Sequence, residues 1–460
     1  MRALARVVLL AFALGGCATL PDVDSWQRFG AAQPYDPSKF RGPLTQTQAE
    51  AVLAKLPRKG DDSDILERQA ALEEAVAGTP LVPGNDVTLL NDGPEAYKAM
   101  FEEIERATDH VNVEFYTIDE EATGMRFSEV LLRKRAQGVA VNVIYDSVGS
   151  ISTSRDYFER LRKGGVNVVE FNPVNPLTAA MGWRLNHRDH RKLVIVDGRV
   201  AFTGGINISG VYSGGYSGGS MPRGSPGGGT ELGWRDTNVR IAGPAVAELQ
   251  REFLETLKKH GKEPVEPRNW LPDIKPQGKH PVRVIASSPD DTVPAIFVTL
   301  VSAIRNAARS VYLTMAYFSP DPQTLDALKG AAARGVKVQL LLPSYTDFRP
   351  ILYAGRSHYT GLLEAGVEIF ERQERLLHAK TVVIDGIWAT VGSSNIDWRS
   401  FLHNEELNVV ILGPDFARQM EESFRRDLAK SKRIGLEDWK RRSIASRIME
   451  STARVWEYWL

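Results

Sequence analysis

Two short runs of the sequence carry the same reactive side chains at the same spacing. The letters HRKLVIVDG occupy 190–198, and HAKTVVIDG occupy 378–386. Both runs follow the pattern His-x-Lys-x4-Asp, and Asn207 or Asn395 follows each histidine by 17 residues. An imidazole can attack an electrophile or move a proton, while ammonium and amide groups can hold an anion. The pattern therefore indicates covalent or acid–base chemistry on a negatively charged group.

The residues around each motif predict a β-hairpin. Lys192–Val196 and Lys380–Ile384 are rich in β-branched residues and lead into Asp-Gly, a strong hairpin signal. Ala201–Thr203 and Trp388–Val391 are the expected return strands. Because residues two apart in a strand share a face, the histidine and lysine of each motif should point the same way. We expect the glycines after each return strand to let backbone and asparagine approach a bound group closely.

The candidate catalytic residues are the histidine, lysine and aspartate of each motif: His190, Lys192, Asp197, His378, Lys380 and Asp385. Within this set, the turn positions of Asp197 and Asp385 favour a role in local structure over contact with substrate. Asn207 and Asn395 are the predicted substrate-binding amides.

A metal centre or cofactor is not expected. The single cysteine, Cys17, excludes a zinc site built on cysteines. His187 and Asp189 beside the first motif could suggest a metal pair, but a positively charged pocket rim is the favoured interpretation.

The elements that must position these motifs occur twice. His110–Glu114 resembles Ser310–Thr314 at an offset of 200 residues, and the glycine turns that follow repeat at similar offsets. In the first copy, the patterns predict strands at Val111–Tyr116, Val139–Tyr145 and Val166–Phe171 and helices at Glu95–Ala107 and Arg126–Gln137. Such alternation is typical of an α/β fold, and the long repeat indicates two similar lobes, each a mostly β sheet flanked by helices.

Composition shifts divide the chain into segments. A tether with helices near Thr47–Leu56 and Asp64–Ala77 is predicted in residues 17–80. The further segments are a first lobe at 81–263 with a glycine-rich loop at 213–230, a proline-rich linker at 264–282, a second lobe at 283–430 and a basic amphipathic tail at 431–460.

The predicted tail carries an apolar stripe. Ile444, Ile448, Val455 and Trp459 share one face of a helix in a region rich in lysine and arginine. Such a helix suits either a membrane interface or docking onto the protein's own surface.

Charge and composition exclude several classes of protein. The chain has 460 residues, of which 43% are hydrophobic, so fibrous and wholly disordered proteins are excluded. Lys+Arg and Asp+Glu both number 57, and this balance argues against a nucleic-acid partner. No apolar run is long enough to predict a membrane span.

The N-terminus resembles a bacterial lipoprotein signal. Arg2 and Arg6 precede an apolar run at Val7–Leu14, which ends in the letters LGGC. Residues 1–16 are therefore a predicted signal peptide, and Cys17 is the expected lipidation site. An ordinary signal with an incidental cysteine is the alternative. The expected location is the cell envelope, with the lipid anchor at the periplasmic face of the outer membrane.

The doubled motif resembles the HKD motif of the phospholipase D superfamily over residues 81–430. The resemblance implies two facing lobes with one active site between them and a phosphohistidine intermediate, without a metal. Family precedent gives the attack to His190 and proton transfer to His378, while the symmetry of the motifs leaves the roles open. The family also places a carboxylate behind each histidine, at positions matched by Asp236 and Glu406. A surface role for Asp236, or Glu405 in place of Glu406, is the alternative.

Within the superfamily, the resemblance is to bacterial cardiolipin synthases. It is carried by the letters NHRDHRK at 186–192, FTGG at 202–205, YFSPD at 317–321 and GSSNIDWRSF at 392–401. It implies transfer of a phosphatidyl group between phospholipids at a membrane surface, with phosphatidylglycerol and also phosphatidylethanolamine as candidate substrates. Many synthases have a membrane-spanning N-terminus where this chain has the Cys17 signal, and this departure leaves the acceptor open.

Three other functions use or tolerate the same residues. A phospholipase D would release phosphatidic acid by using water as the acceptor. A secreted nuclease finds no support in the neutral charge balance. A non-enzymatic envelope lipoprotein would not need both motifs to be complete.

Overall fold

Strands and helices alternate in the first half of the molecule, as they do in the predicted pattern. The computed structural model describes residues 19–23, 63–174, 184, 186–214 and 233–459. The strands of this half are β1 (Val82–Leu90), β2 (His110–Phe115), β3 (Ala140–Asp146), β4 (Asn167–Phe171), β5 (Arg188–Asp189), β6 (Lys192–Val196), β7 (Val200–Gly204) and β8 (Asn238–Ala242). Its helices are α1 (Ser63–Ala77), α2 (Gly93–Arg106), α3 (Ala122–Ala136), α4 (Arg155–Lys163) and α5 (Val246–His260).

The second half repeats this order. Its strands are β9 (His280–Ser287), β10 (Ser310–Met315), β11 (Lys337–Pro343), β12 (Glu368–Arg372), β13 (Lys380–Ile384), β14 (Trp388–Gly392), β15 (Asn404–Leu412) and β16 (Ser431–Ile434). Its helices are α6 (Ala295–Asn306), α7 (Pro322–Ala333), α8 (Arg349–Ser357), α9 (Tyr359–Glu364), α10 (Trp398–Leu402), α11 (Pro414–Leu428), α12 (Leu436–Lys440) and α13 (Ile444–Val455).

One mixed sheet runs through both halves. From the centre outwards the first half has the order β1-β8-β7-β6-β2-β3-β4, and the second has the matching order β9-β15-β14-β13-β10-β11-β12, followed by β16. The antiparallel pair of β1 and β9 joins them. The two-lobe α/β fold is confirmed, and the continuous sheet is a feature that the sequence did not predict.

Apolar packing holds the layers together. α5 and α11 cover one face of the sheet in a core shared by both halves, where Phe253, Leu193, Val383 and Phe416 are buried. The other face is covered by α2, α3 and α4 in the first half and by α6, α7 and α9 in the second. β2, β3, β6 and β13 are buried along their whole length, which agrees with the apolar runs after the lysines of β6 and β13.

The predicted elements of the first lobe differ little from those in the structure. Strand bounds agree to within one residue, whereas α3 begins at Ala122, four residues before the predicted Arg126. Thr123 and Gly124 lie in this added turn. The Asp119 carbonyl is so close to Gly124 that a side chain would not fit there.

The ends of the chain and the linker also differ from expectation. β9 begins at His280, inside the predicted linker. Residues 431–434 pair with β12 at the sheet edge, so the predicted tail begins as part of the second half. The predicted signal, Cys17, the helix near Thr47–Leu56 and nearly all of the glycine-rich loop lie outside the described residues. In the described part of the chain, no helix is long and apolar enough to cross a bilayer.

The C-terminal helix α13 presents its apolar stripe to solvent. Ile444, Ile448 and Val455 are 76%, 61% and 77% exposed, while Glu450 is buried and pairs with Arg442 at 2.8 Å. The helix packs against α8 through its polar side. Helix α13 therefore docks onto the protein with one side while its apolar stripe stays exposed to solvent.

Candidate active site

The two motifs meet at one cavity between the halves. The cavity has a volume of about 450 Å³, and its walls include both motif histidines and both motif asparagines. Each histidine lies two residues before its lysine, which is the first residue of β6 or β13. Both hairpins thus start at the cavity and run away from it.

Each histidine is hydrogen-bonded to a carboxylate of the opposite half. His190 Nδ1 lies 2.9 Å and 3.1 Å from the two carboxylate oxygens of Glu406. His378 Nδ1 lies 2.7 Å from Asp236 Oδ2. Both carboxylates are completely buried. The structure thus places Glu406, and not Glu405, against His190, and it removes Asp236 from the surface.

Backbone pairing fixes this crossed arrangement. The amide of His190 donates to the carbonyl of Glu405 at 2.9 Å, and the amide of His378 donates to the carbonyl of Arg235 at 2.8 Å. β5, just before His190, also pairs in parallel with β15, the strand that carries Glu406. The main chain that leads into each histidine is therefore attached to the segment that supplies its carboxylate.

The crossed pairs set the tautomer of both rings. An ionised carboxylate only accepts hydrogen bonds, so Nδ1 carries the proton and the lone pair of a neutral ring lies on Nε2. Burial opposes ionisation of Asp236 and Glu406, but the hydrogen bonds and charges of the facing histidines and lysines hold the pKa of both carboxyls below its ordinary value. Ser393 Oγ donates a further hydrogen bond to Glu406 at 2.5 Å.

Burial favours the neutral forms of the motif histidines and lysines. It lowers the pKa of His190 to about 4, and the pKa of His378 is also lowered. Burial likewise lowers the pKa of Lys192 to about 7 and that of Lys380 to about 8. A bound anion would raise all four pKa values, because negative charge stabilises the protonated forms. The site is thus prepared to gain protons as it binds a phosphate group.

The lysines and asparagines are fixed around this centre. Lys192 and Lys380 each donate to the carbonyl oxygen of their own motif histidine at 2.5 Å. Asn207 Oδ1 accepts from the Thr117 amide at 3.1 Å, and Asn395 Oδ1 accepts from the Tyr317 amide at 3.3 Å. Holding the amide oxygens in this way leaves the amide nitrogens as the groups that can donate to a ligand.

The motif aspartates lie away from the cavity. Asp197 and Asp385 follow the far ends of β6 and β13, and both have a positive φ, 52° and 54°. Asp197 accepts from the amides of Asp109 and His110, and Asp385 accepts in the same way from residues 308–310. Their place in the structure agrees with local support of the hairpin and not with contact to substrate, although they belong to the motif.

The glycines after the return strands make room for the supporting groups. A Cβ on Gly205 would overlap the Asp236 carboxylate, and one on Gly392 would overlap the Asn408 side chain. Protein atoms therefore occupy the space beside these glycines, and close approach of backbone and asparagine to a bound group stays a prediction.

The residues beside the first motif form an ionic cluster. His187 Nε2 lies 2.8 Å from Glu405 Oε1, and Arg191 donates to Glu405 Oε2 at 3.0 Å. Although burial opposes it, the Arg191 charge and the His187 hydrogen bond hold the pKa of Glu405 at about 2. His187 is thus paired with a carboxylate and does not form the expected cavity rim. No cluster of metal-binding side chains occurs among the described residues.

Several residues that line the cavity were not found by the sequence reasoning, among them Tyr212, Trp234, Arg399 and Asn404. Tyr212 Oη lies 3.1 Å from His378 Nδ1, and the Trp234 ring centroid lies 5.5 Å from that of His378. Arg399 and Asn404 line the same cavity. The signal was present in the repeat: Val211 and Arg399 follow the motif asparagines by four residues, and Trp234 and Asn404 precede the supporting carboxylates by two.

Comparisons with known proteins agree with this geometry. The family model described as "Cardiolipin synthase, PLD-like domain" matches residues 100–211 and 300–428. A cardiolipin synthase from Geobacillus sp. (strain WCH70) is 33% identical over 424 residues, which cover 91% of this chain and 79% of that protein. Cardiolipin synthase 2 from Bacillus anthracis is 35% identical over 374 residues, with 80% and 69% of the two chains covered.

A solved structure shares the fold. The phosphatidylserine synthase of Haemophilus influenzae Rd KW20 aligns with a TM-score of 0.62 over 90% of this chain and 99% of that chain, at 12% identity. The chain therefore belongs to the cardiolipin synthase family of phospholipase D-like proteins, and it is a phosphodiester transferase of that superfamily.

Proposed function

We propose that this protein makes cardiolipin by transferring a phosphatidyl group onto the hydroxyl of phosphatidylglycerol. The observation that carries the proposal is the single cavity in which two complete motifs face each other, each with its histidine on a carboxylate of the opposite half. The relatives named cardiolipin synthase support a phospholipid substrate, and the proposal takes phosphatidylglycerol as the acceptor and phosphatidylglycerol or phosphatidylethanolamine as the donor.

The arrangement supports a two-step transfer. In the first step, Nε2 of one histidine forms a bond to phosphorus, the bond to the headgroup oxygen breaks, and the other histidine gives a proton to that oxygen. In the second step, the acceptor hydroxyl gives its proton to the second histidine and displaces the first from phosphorus. Two displacements with a covalent intermediate replace one difficult step. The motif lysines and asparagines stabilise the charge that develops on the phosphoryl oxygens.

The exchange needs no external source of energy. One phosphodiester is formed for each one broken, so the reaction is nearly balanced in free energy. Such a reaction can proceed outside the cytoplasm, where nucleotides are not supplied. This supports the cell envelope, with Cys17 as a lipid anchor beside the substrates at the periplasmic face of the outer membrane.

Contact with a membrane surface is supported by the exposed stripe of α13. Basic residues accompany it on the same segment, among them Lys440, Arg441 and Arg454. The turn that follows brings Trp459 to the cavity wall. A lipid surface against the stripe would therefore lie beside the mouth of the cavity.

Purified protein incubated with phosphatidylglycerol vesicles should produce cardiolipin and glycerol. His190→Asn and His378→Asn should each lower the rate by at least about 1000-fold, because each removes a group needed in both steps. Lipid mass spectrometry measures the products, with His358→Asn, outside the cavity, as the matched control. Phosphatidic acid as the sole lipid product would show a hydrolase instead.

The two histidines should respond differently to a donor with a good leaving group. Following family precedent, we expect His378→Asn to keep release of p-nitrophenolate from phosphatidyl-p-nitrophenol, since that oxygen needs little protonation. His190→Asn should release none. Stopped-flow absorbance measures the release, and trapping of phosphohistidine checks the intermediate. The reverse pattern would exchange the two roles.

The stripe of α13 should govern binding to vesicles. Ile448→Glu with Val455→Glu places two charges on the stripe and should weaken binding to anionic vesicles by about 10-fold or more. Sedimentation measures binding, and turnover of a short-chain monomeric phosphatidylglycerol should be retained. Leu271→Glu, in the linker, is the control. Unchanged sedimentation of the double variant would contradict this role.

Anchoring should depend on Cys17. Cys17→Ser should leave an unlipidated precursor that is lost from the outer-membrane fraction, because the acylated side chain is absent. Fractionation and the mass of the mature N-terminus measure this, with Ala18→Ser as the control. Normal maturation of Cys17→Ser would contradict the lipoprotein assignment.

A further inference from the structure

The cavity contains a cationic side chain that lies outside the doubled motif. Arg399 lines the cavity at the start of α10 and is only partly buried. In the part of the chain that the structure describes, its hydrogen bond runs from Nη1 to Asn186 Oδ1 at 2.8 Å, and no ion pair engages the guanidinium. A guanidinium in this state can bind a phosphate through two parallel hydrogen bonds.

A second side chain in the cavity has a polar atom without a hydrogen-bond partner among the described residues. Asn404 is 6% exposed, and its Nδ2 donates to Glu406 Oε1 at 3.2 Å. Its Oδ1 is buried without a hydrogen-bond donor among the described residues, although the residue lines the cavity. A buried acceptor of this kind is costly unless a ligand or water supplies a donor. A hydroxyl group of a bound molecule would satisfy it.

These two residues break the internal symmetry of the cavity. At the matching positions of the first half stand Val211 and Trp234, which also line the cavity. The duplicated lysines and asparagines already serve the phosphate that reacts. The cation and the amide, which only the second half has at these positions, therefore suit a substrate group that occurs once and carries its own negative charge.

We propose that Arg399 and Asn404 form a subsite for the acceptor lipid, in which Arg399 binds the acceptor's own phosphate and Asn404 Oδ1 accepts a hydrogen bond from its glycerol. This rests on the proposed function, since only a phospholipid acceptor brings a second phosphate. The held acceptor's hydroxyl oxygen forms a bond with phosphorus, the phosphorus–nitrogen bond to histidine breaks, and the hydroxyl proton passes to the other histidine. Water needs no such subsite, so Arg399 separates transfer from hydrolysis.

The neighbouring carboxylates form no ion pair with the Arg399 guanidinium in the described part of the chain. Asp397 accepts from the Ser400 amide at 2.7 Å and so caps α10. Asp347 accepts from Tyr317 Oη at 2.7 Å and from Thr346 Oγ1 at 2.9 Å. Both carboxylates are engaged by donors of their own, and Arg399 keeps its capacity for a ligand.

The test compares an acceptor that carries a phosphate with two acceptors that do not. Phosphatidyl-p-nitrophenol serves as the donor, and phosphatidylglycerol, glycerol and water compete as acceptors. Arg399→Gln should lower kcat/KM for phosphatidylglycerol by about 10- to 100-fold, while release of p-nitrophenolate and transfer to glycerol persist. The products should shift from cardiolipin to phosphatidic acid. Arg399→Lys should restore part of the loss, and Arg433→Gln, at the sheet edge, is the control.

Asn404 provides an independent arm of the same test. Asn404→Leu removes the oxygen acceptor and should raise KM for both phosphatidylglycerol and glycerol. An equal fall in all three reactions for Arg399→Gln would overturn the subsite, because the arginine would then serve the donor. Cardiolipin formation unchanged by Arg399→Gln would also overturn it. Wild-type protein that makes phosphatidic acid but no cardiolipin would instead overturn the proposed function.

Discussion

Two buried imidazole–carboxylate pairs cross between the halves of the molecule, and the geometry of the site follows from them. A buried carboxylate needs a hydrogen-bonded partner, and removal of one partner of a buried pair costs about 3–5 kcal/mol. Glu406 and Asp236 each have a histidine of the other half as such a partner. Neither half can therefore form its own working site, and the two motifs are held to one shared cavity.

The continuous sheet makes this crossing possible. The β1–β9 pair joins the halves at their centre, and the short pairing of β5 with β15 brings the chain before His190 onto the strand of Glu406. The apolar core beneath, shared by α5 and α11, gives the two halves a common rigid base. Placement of a nucleophile and an acid on opposite sides of one phosphate requires such rigidity, because small errors in position lower the rate strongly.

Local patterns predicted much of the fold, whereas contacts between distant residues could not be predicted from such patterns. The hairpins that follow His190 and His378 could be located because β-branched runs and Asp-Gly turns act over a few residues. The support of His190 by Glu406 spans 216 residues and depends on how the two halves pair, so Glu406 could be expected only from the family resemblance. The contact of the Asp236 carboxylate with Gly205 could not be predicted for the same reason, since that carboxylate comes from a distant turn.

The duplication also explains which parts of the cavity can differ. The groups that hold the reacting phosphate occur in both halves, because one histidine bonds to phosphorus while the other histidine transfers the proton in each step. The two halves differ at Val211 and Trp234 on one side of the cavity and at Arg399 and Asn404 on the other. These differences leave the groups that hold the phosphate in place. A symmetric centre with asymmetric walls therefore lets one fold keep its chemistry while the walls select the lipid that enters. In this chain the walls offer apolar surface on one side and a cation with an amide on the other, and a phospholipid, apolar at one end and charged at the other, presents both kinds of surface.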